Sequence, residues 1–187
     1  MAQETFKRKL AAILSADVKE YSRLMREDEA TTIRTLTVYR EVMSTLIKQH
    51  HGRVVDTVGD NLLAEFDSVV DAVQGAVAVQ KELNTRNAKL SEGRKMVFRI
   101  GINLGDLVVE GDRIYGDGVN LAARVQALAV PGGILISEKV YDEVKNQRGI
   151  ETRSMGSFAL KNVKRPMEIW AITNPGLAVP DPAAMGS

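Results

Sequence analysis

The spacing of apolar positions changes several times along this chain, and each change marks an element. Residues 8–17 (RKLAAILSAD) run small and apolar up to Asp17 and read as a strand. After KEYSRLM, the polar stretch REDEATT predicts a helix start whose acidic first turn suits the positive end of the dipole. Ile33, Leu36, Tyr39, Met43, Leu46 and Ile47 continue it at helical spacing, and Gly52 reads as its cap. Residues 53–58 and 61–66 are strands around a two-residue Gly59–Asp60 loop, a hairpin of the primed-turn type. Val69, Ala72, Val73, Ala76, Val77 and Leu83 then form a helix of small apolar residues able to pack close to a sheet.

MVFRIGINLGDLVVEG alternates as two strands bent near Gly105. GDGVNLAARVQALAVPGG predicts a helix from about Gly118 to Ala129, stopped by Pro131 and the glycines after it. ILIS is a strand, EKVYDEVKN a short helix, and SFALKN and MEIWAI the last strands. This order predicts an α+β fold: a ferredoxin-like βαββαβ core sheet covered by helices, with an additional C-terminal strand-helix-hairpin. The two hairpins disfavour an all-parallel doubly wound sheet, and no internal repeat is visible.

Composition narrows the function. At 187 residues the chain suits one domain with a sizeable core and is cramped for two. The domain is assigned to residues 1–173, and the stretch 174–187, rich in Pro, Ala and Gly, to a tail or linker. A formal charge of +1 gives no general field for nucleic acid or an anionic membrane, so neither is an expected partner and anion binding has to be local. The absence of cysteine excludes disulfides, thiolate metal sites and cysteine nucleophiles, and fits a reducing compartment. No run reaches the roughly 18 apolar residues of a membrane helix. LAAILSADV, interrupted by Asp17, is too short for a signal peptide.

Walker A, dinucleotide, zincin and G-x-S-x-G motifs are all missing. GDRIYGDG reads as a turn leading to a helix N-terminus, which can accept a phosphate. The positive signals are two pairs. Asp17 closes the first strand and Asp60 sits at the hairpin tip, so neighbouring strands would bring both acids to one edge. Two carboxylates plus substrate phosphates suit Mg²⁺, while a helix cap and simple turn chemistry are the alternatives. Asn120 and Arg124, four apart, share one face of an otherwise small and apolar helix. They fit either an anion site or a salt-bridged face. His50 and His51 are adjacent on a helix and point apart, which suits a solvated terminus better than a metal site.

ILSADVKEYSRLM, GRVVDTVGDNLLAEF, FRIGINLGDLVVEGDRIYGDGVNLAARV, PGGILIS and FALKNVKRP together resemble, in order, the catalytic domain of class III adenylate/guanylate cyclases. The resemblance covers about residues 8 to 172. It implies a domain that converts ATP, or GTP, to the 3′,5′-cyclic nucleotide and pyrophosphate for intracellular signalling, in a cytoplasmic setting. Asp17, Asp60 and the Val18 carbonyl match the family's contacts to two divalent metal ions, Mg²⁺ or Mn²⁺. Asn120 matches the residue that orients the ribose, Arg124 the one that contacts the phosphates, and Lys161 the one that binds the terminal phosphates. The family is a dimer in which one subunit supplies the aspartates and the other the Asn and Arg.

Base recognition departs from the pattern. Adenylate cyclases of this family usually carry Lys at Asp56 and Asp or Thr at Arg113; guanylate cyclases usually carry Glu and Cys. Asp56 and Arg113 are therefore open to three readings: purine contacts with exchanged roles, whose chemistry fits guanine slightly better, a pair with each other that leaves selectivity loose, or a degenerate cyclase-homology domain serving as a nucleotide-binding or dimerising regulatory module. The intact metal and transition-state residues favour an active enzyme, with ATP the default on the family's base rate.

Overall fold

The small apolar run forms β1 (Phe6–Val18), the strand around which the sheet is arranged. The computed structural model describes residues 6–185. β1 pairs antiparallel with β4 (Phe98–Glu110) along its whole length, from Phe6 opposite Glu110 to Val18 opposite Phe98. The two strands expected around Gly105 are thus one, because an unbroken ladder to β1 carries β4 straight through the glycine. On its other edge β1 pairs with β3 (Asn61–Phe66), which closes a hairpin with β2 (Gly52–Val58). Gly59 takes φ 59°, the positive value a primed hairpin turn needs.

Between β1 and β2 the chain makes two helices rather than one, α1 (Tyr21–Glu27) and α2 (Glu29–Gln49). Asp28 separates them, and its carboxylate accepts the Thr31 N–H to cap α2. The end of α2 also differs from expectation. His51, not Gly52, takes the left-handed φ of 66°. Gly52 already belongs to β2, where a Cβ would collide with the Phe66 ring.

α3 (Val69–Asn87) follows the hairpin and returns the chain to β4. A short β5 (Arg113–Tyr115), unexpected from the sequence, pairs back on β4 before α4 (Asp117–Leu128). β6 (Ile134–Ile136), α5 (Glu138–Val144), β7 (Thr152–Phe158) and β8 (Met167–Ile172) complete the chain. β7 ends before Leu160, so the LKN segment expected to extend it lies in the β7–β8 connection. The strand order β2-β3-β1-β4-β6-β8-β7 contains the ferredoxin-like arrangement β2-β3-β1-β4, and β6 runs parallel to β4. Fold class is as the sequence predicts.

Helices cover both faces. Even-numbered β1 residues Ala12, Leu14 and Ala16 join Met43 and Ile47 of α2, Val73 and Leu83 of α3, and Val140 of α5 in the larger core. Odd-numbered Ala11 and Ile13 pack instead with Val119 and Ala122 of α4. Each fully buried Leu, Ile or Met side chain is worth about 1.5–3 kcal/mol in transfer free energy. The segment after β8 lies back on the domain: Leu177 packs on the larger core, and the Ala178 N–H donates to Gly132 O at 3.1 Å.

Candidate active site

Asp17 and Ser15 occupy the α4 side of β1, at the strand's C-terminal end, because side chains alternate and Ile13 faces α4. Directly across the ladder from Asp17 stands Arg99. Its Nε and Nη2 donate to the two carboxylate oxygens of Asp17 at 2.9 and 2.6 Å, and its Nη1 donates to Ala127 O at the end of α4 at 3.2 Å. This hydrogen-bonded pairing with Asp17 raises the Arg99 pKa above its ordinary value, against an opposing desolvation effect, and Asp60 adds to the rise. Asp60 is therefore in the same electrostatic neighbourhood.

Strand alternation also aims the Val18 backbone. The Lys19 N–H donates to Val97 O, just before β4, so the N–H and C=O of Val18 turn toward β3. The Val18 N–H meets Asp60 Oδ2 at 2.9 Å. Asp17, Asp60 and the Val18 carbonyl thus gather at one sheet edge. Among the described residues no group of three or more His, Cys, Asp or Glu forms a metal cluster. A cation here would have two carboxylates and one carbonyl from the protein, and would need phosphate or water oxygens to complete its shell. That donor set fits a Mg²⁺ or Mn²⁺ ion that arrives with a nucleotide. His50 and His51 do not form a site: His50 Nδ1 contacts Leu46 O, and His51 Nδ1 lies 3.4 Å from Asp71.

A second cluster lies on the same sheet face, further into the domain. α4 rests directly on β4 because glycines remove the side chains between them. A Cβ on Gly101 would meet the Gln126 backbone, and one on Gly105 would come within 3.1 Å of Gly118 Cα. Between α4 and the β2–β3 hairpin lies a cavity of about 170 Å³, lined by Asp56, Asn61, Asn120, Ser15 and Gln126 among others. Complete small-molecule pockets span about 300–1,000 Å³, so this volume suits half of a site.

Asp56 reaches that cavity through a β-bulge. In the β2–β3 ladder Val54 opposes Ala64 but Asp56 opposes Leu63, so Val55 is an extra residue. Ala64 belongs to the α2–α3 core, whereas Leu63 packs on the α4 side. Without the bulge, Asp56 would follow Val54 to the α2–α3 side. With it, Asp56 turns to α4. The Asp56 carboxylate thus faces a cavity of mixed polar and apolar lining.

The remaining candidates lie apart. Arg124 is half-buried on α4, one turn beyond Asn120, and does not line the cavity. The Arg113 guanidinium is exposed on β5, 5.5 Å above the Tyr115 ring, and likewise does not line the cavity with Asp56. Lys161 is exposed in the β7–β8 connection. Arg99, Ser15 and Gln126 were missed in the sequence. Arg99 had a signal: it is the one charged residue in the otherwise apolar run MVFRIGI.

Residues 5–174 match the family model described as the adenylate and guanylate cyclase catalytic domain. The chain belongs to this cyclase family. The cyclase domain is 45% identical over 171 residues to "Putative adenylate cyclase 3" of Rhizobium meliloti, covering 91% of this chain and 29% of that relative's length. It is similar in structure to an adenylate/guanylate cyclase/hydrolase from Silicibacter pomeroyi, with TM-score 0.84, 35% identity, and 95% of this chain and 100% of that one covered. The adenylyl cyclase CyaB from P. aeruginosa superposes with TM-score 0.79 at 26% identity, covering 92% and 99% of the two chains. By membership this is an adenylate and guanylate cyclase catalytic domain, and the chain spans less than a third of the length of that Rhizobium meliloti relative. Among the described residues no helix is long and apolar enough to cross a membrane.

Proposed function

We propose that the domain cyclises ATP, with GTP the competing substrate, at sites shared between two copies of the chain. The observation that carries this is the convergence of Asp17 and Asp60 beside the Val18 backbone, where Val18 N–H and Asp60 Oδ2 are 2.9 Å apart. Divalent ions bound there would acidify the ribose 3′-hydroxyl and take up charge on the leaving pyrophosphate. Asp17 and Asp60 would hold those ions, and Asn120 orients the ribose. The 3′-oxygen bonds to the α-phosphorus, the bond to the pyrophosphate oxygen breaks, and the hydroxyl proton leaves to solvent. Arg124 stabilises charge on the α-phosphoryl oxygens, a preorganised contact typically worth about 3 kcal/mol. Lys161 meets the terminal phosphates, and Asp56 faces the base; Arg113, which lies apart from the cavity, would have to move to join it.

The positions support sharing. The cavity with Asp56 and Asn120 is small for a nucleotide, and a two-fold partner would set its aspartates against it. A second reading, a dimerising regulatory module, draws support from the Asp17–Arg99 pair, which satisfies Asp17 without any metal. One assay separates them. Purified protein, concentrated enough to dimerise, is given Mn²⁺ or Mg²⁺ with ATP or GTP, and the cyclic nucleotide is measured. Product from either nucleotide supports the enzyme, and none from both overturns it.

A further inference from the structure

We propose that Gln126, oriented by Ser15, is a specificity-determining residue of the base cavity: it sets amide donors against the Asp56 acceptor and so selects the edge of adenine. This rests on the cyclase reading above and deepens it.

Asn120, Ala123 and Gln126 are three residues apart on α4 and line one side of the cavity; Asp56 lines the other, from β2. Gln126 is only 5% exposed. The Ser15 hydroxyl donates to its Oε1 at 3.2 Å, which orients the amide and leaves its nitrogen free. Among the described residues that Nε2 makes no hydrogen bond, and it is not one of the sealed-off side-chain atoms without a partner. It is therefore open at the cavity wall and free to donate to a ligand acceptor.

The two cavity walls then carry opposite hydrogen-bonding character. Adenine matches them: its N6 amino group donates to Asp56, and its N1 accepts from Gln126. Guanine held in the same register presents O6 to the carboxylate and N1–H to the amide donors, and both contacts are mismatched. Asp56 at the position where the family usually has Lys thus leaves the cavity short of a donor, and Gln126 supplies it.

The test uses 3′-deoxy-ATP and 3′-deoxy-GTP, which lack the attacking hydroxyl, with Mn²⁺ and the intact chain. Binding is read by calorimetry alongside turnover of ATP and GTP. Wild-type protein is expected to favour the adenine probe by about tenfold or more, the scale of one or two hydrogen bonds. Gln126→Leu removes the donors and Gln126→Glu reverses them. Both are expected to lower the adenine-to-guanine ratio by about tenfold, with Gln126→Glu the larger effect. Ser15→Ala frees the amide to rotate and lowers the ratio less. It carries the test if a Gln126 variant fails to fold. A wild-type ratio near one overturns the proposal. So do variants that melt like wild type with a ratio changed by less than about twofold. Wild-type protein that cyclises nucleotide in either of those cases leaves the cyclase reading intact, whereas wild type that neither binds nor cyclises overturns both.

Discussion

Arg99 holds both carboxylate oxygens of Asp17, at 2.9 and 2.6 Å, directly across the β1–β4 ladder. The candidate metal ligand therefore rests against a fixed positive charge. Replacing Asp17 by Asn keeps the shape and removes the negative charge. Activity is expected to fall by about a hundredfold or more, since metal stabilisation of the transition state is worth several kcal/mol. The pair is partly exposed, at 18% and 29% for the two side chains, so unfolding free energy should change by less than about 1 kcal/mol. Initial rates and urea denaturation of the same preparation check both halves.

Asp60 separates charge from hydrogen bonding. Asp60→Asn retains an acceptor for the Val18 N–H, whereas Asp60→Ala does not. Both variants are expected to be inactive, but only Asp60→Ala should lose stability, by about 1 kcal/mol. Equal stability in the two would show that the Val18 contact contributes nothing.

Shared sites make a mixing prediction. Asp17→Ala and Arg124→Ala proteins should each be inactive alone. Combined in equal amounts with free exchange, half the dimers are mixed and each has one intact site, so about a quarter of wild-type activity should return. Rates measured against mixing ratio should peak at equal amounts.

Gly101 keeps α4 on the sheet. Gly101→Ala pushes a methyl into the Gln126 backbone, which cannot move aside as a flexible side chain would. A loss of about 1–3 kcal/mol or more is expected, read as a lowered Tm, with cyclase activity falling alongside.

The cap of α2 is sensitive to acid. The hydrogen bond from the Thr31 N–H lowers the Asp28 pKa below its ordinary value. Its contribution is therefore present above the unfolded-state pKa and is lost as pH falls through the lower folded value. Asp28→Asn keeps a capping oxygen that does not titrate. Acid unfolding followed by circular dichroism should show a shallower pH dependence in Asp28→Asn than in wild type.

Local pattern was enough to place most elements. Helical spacing marked α2 and α3, alternation marked β2 and β3, and MEIWAI coincides with β8. The aspartates, Asn120 and Arg124 could be nominated as candidates from the sequence, because each sits in a short motif whose neighbours are contiguous in the chain. Tertiary structure decided what depends on register. Arg99 is 82 residues from Asp17 and meets it only because two long strands pair in step. The bulge at Val55 turns Asp56 to α4, and nothing in the alternation of VVDTV announces it. Gly52 looked like a helix stop, but the approach of the Phe66 ring explains it. Gln126 reads as an ordinary polar residue until Ser15, 111 residues away, fixes its amide at a cavity wall. Periodicity is a property of neighbours along the chain. Pairing register, bulges and buried hydrogen bonds are properties of segments that meet only after folding.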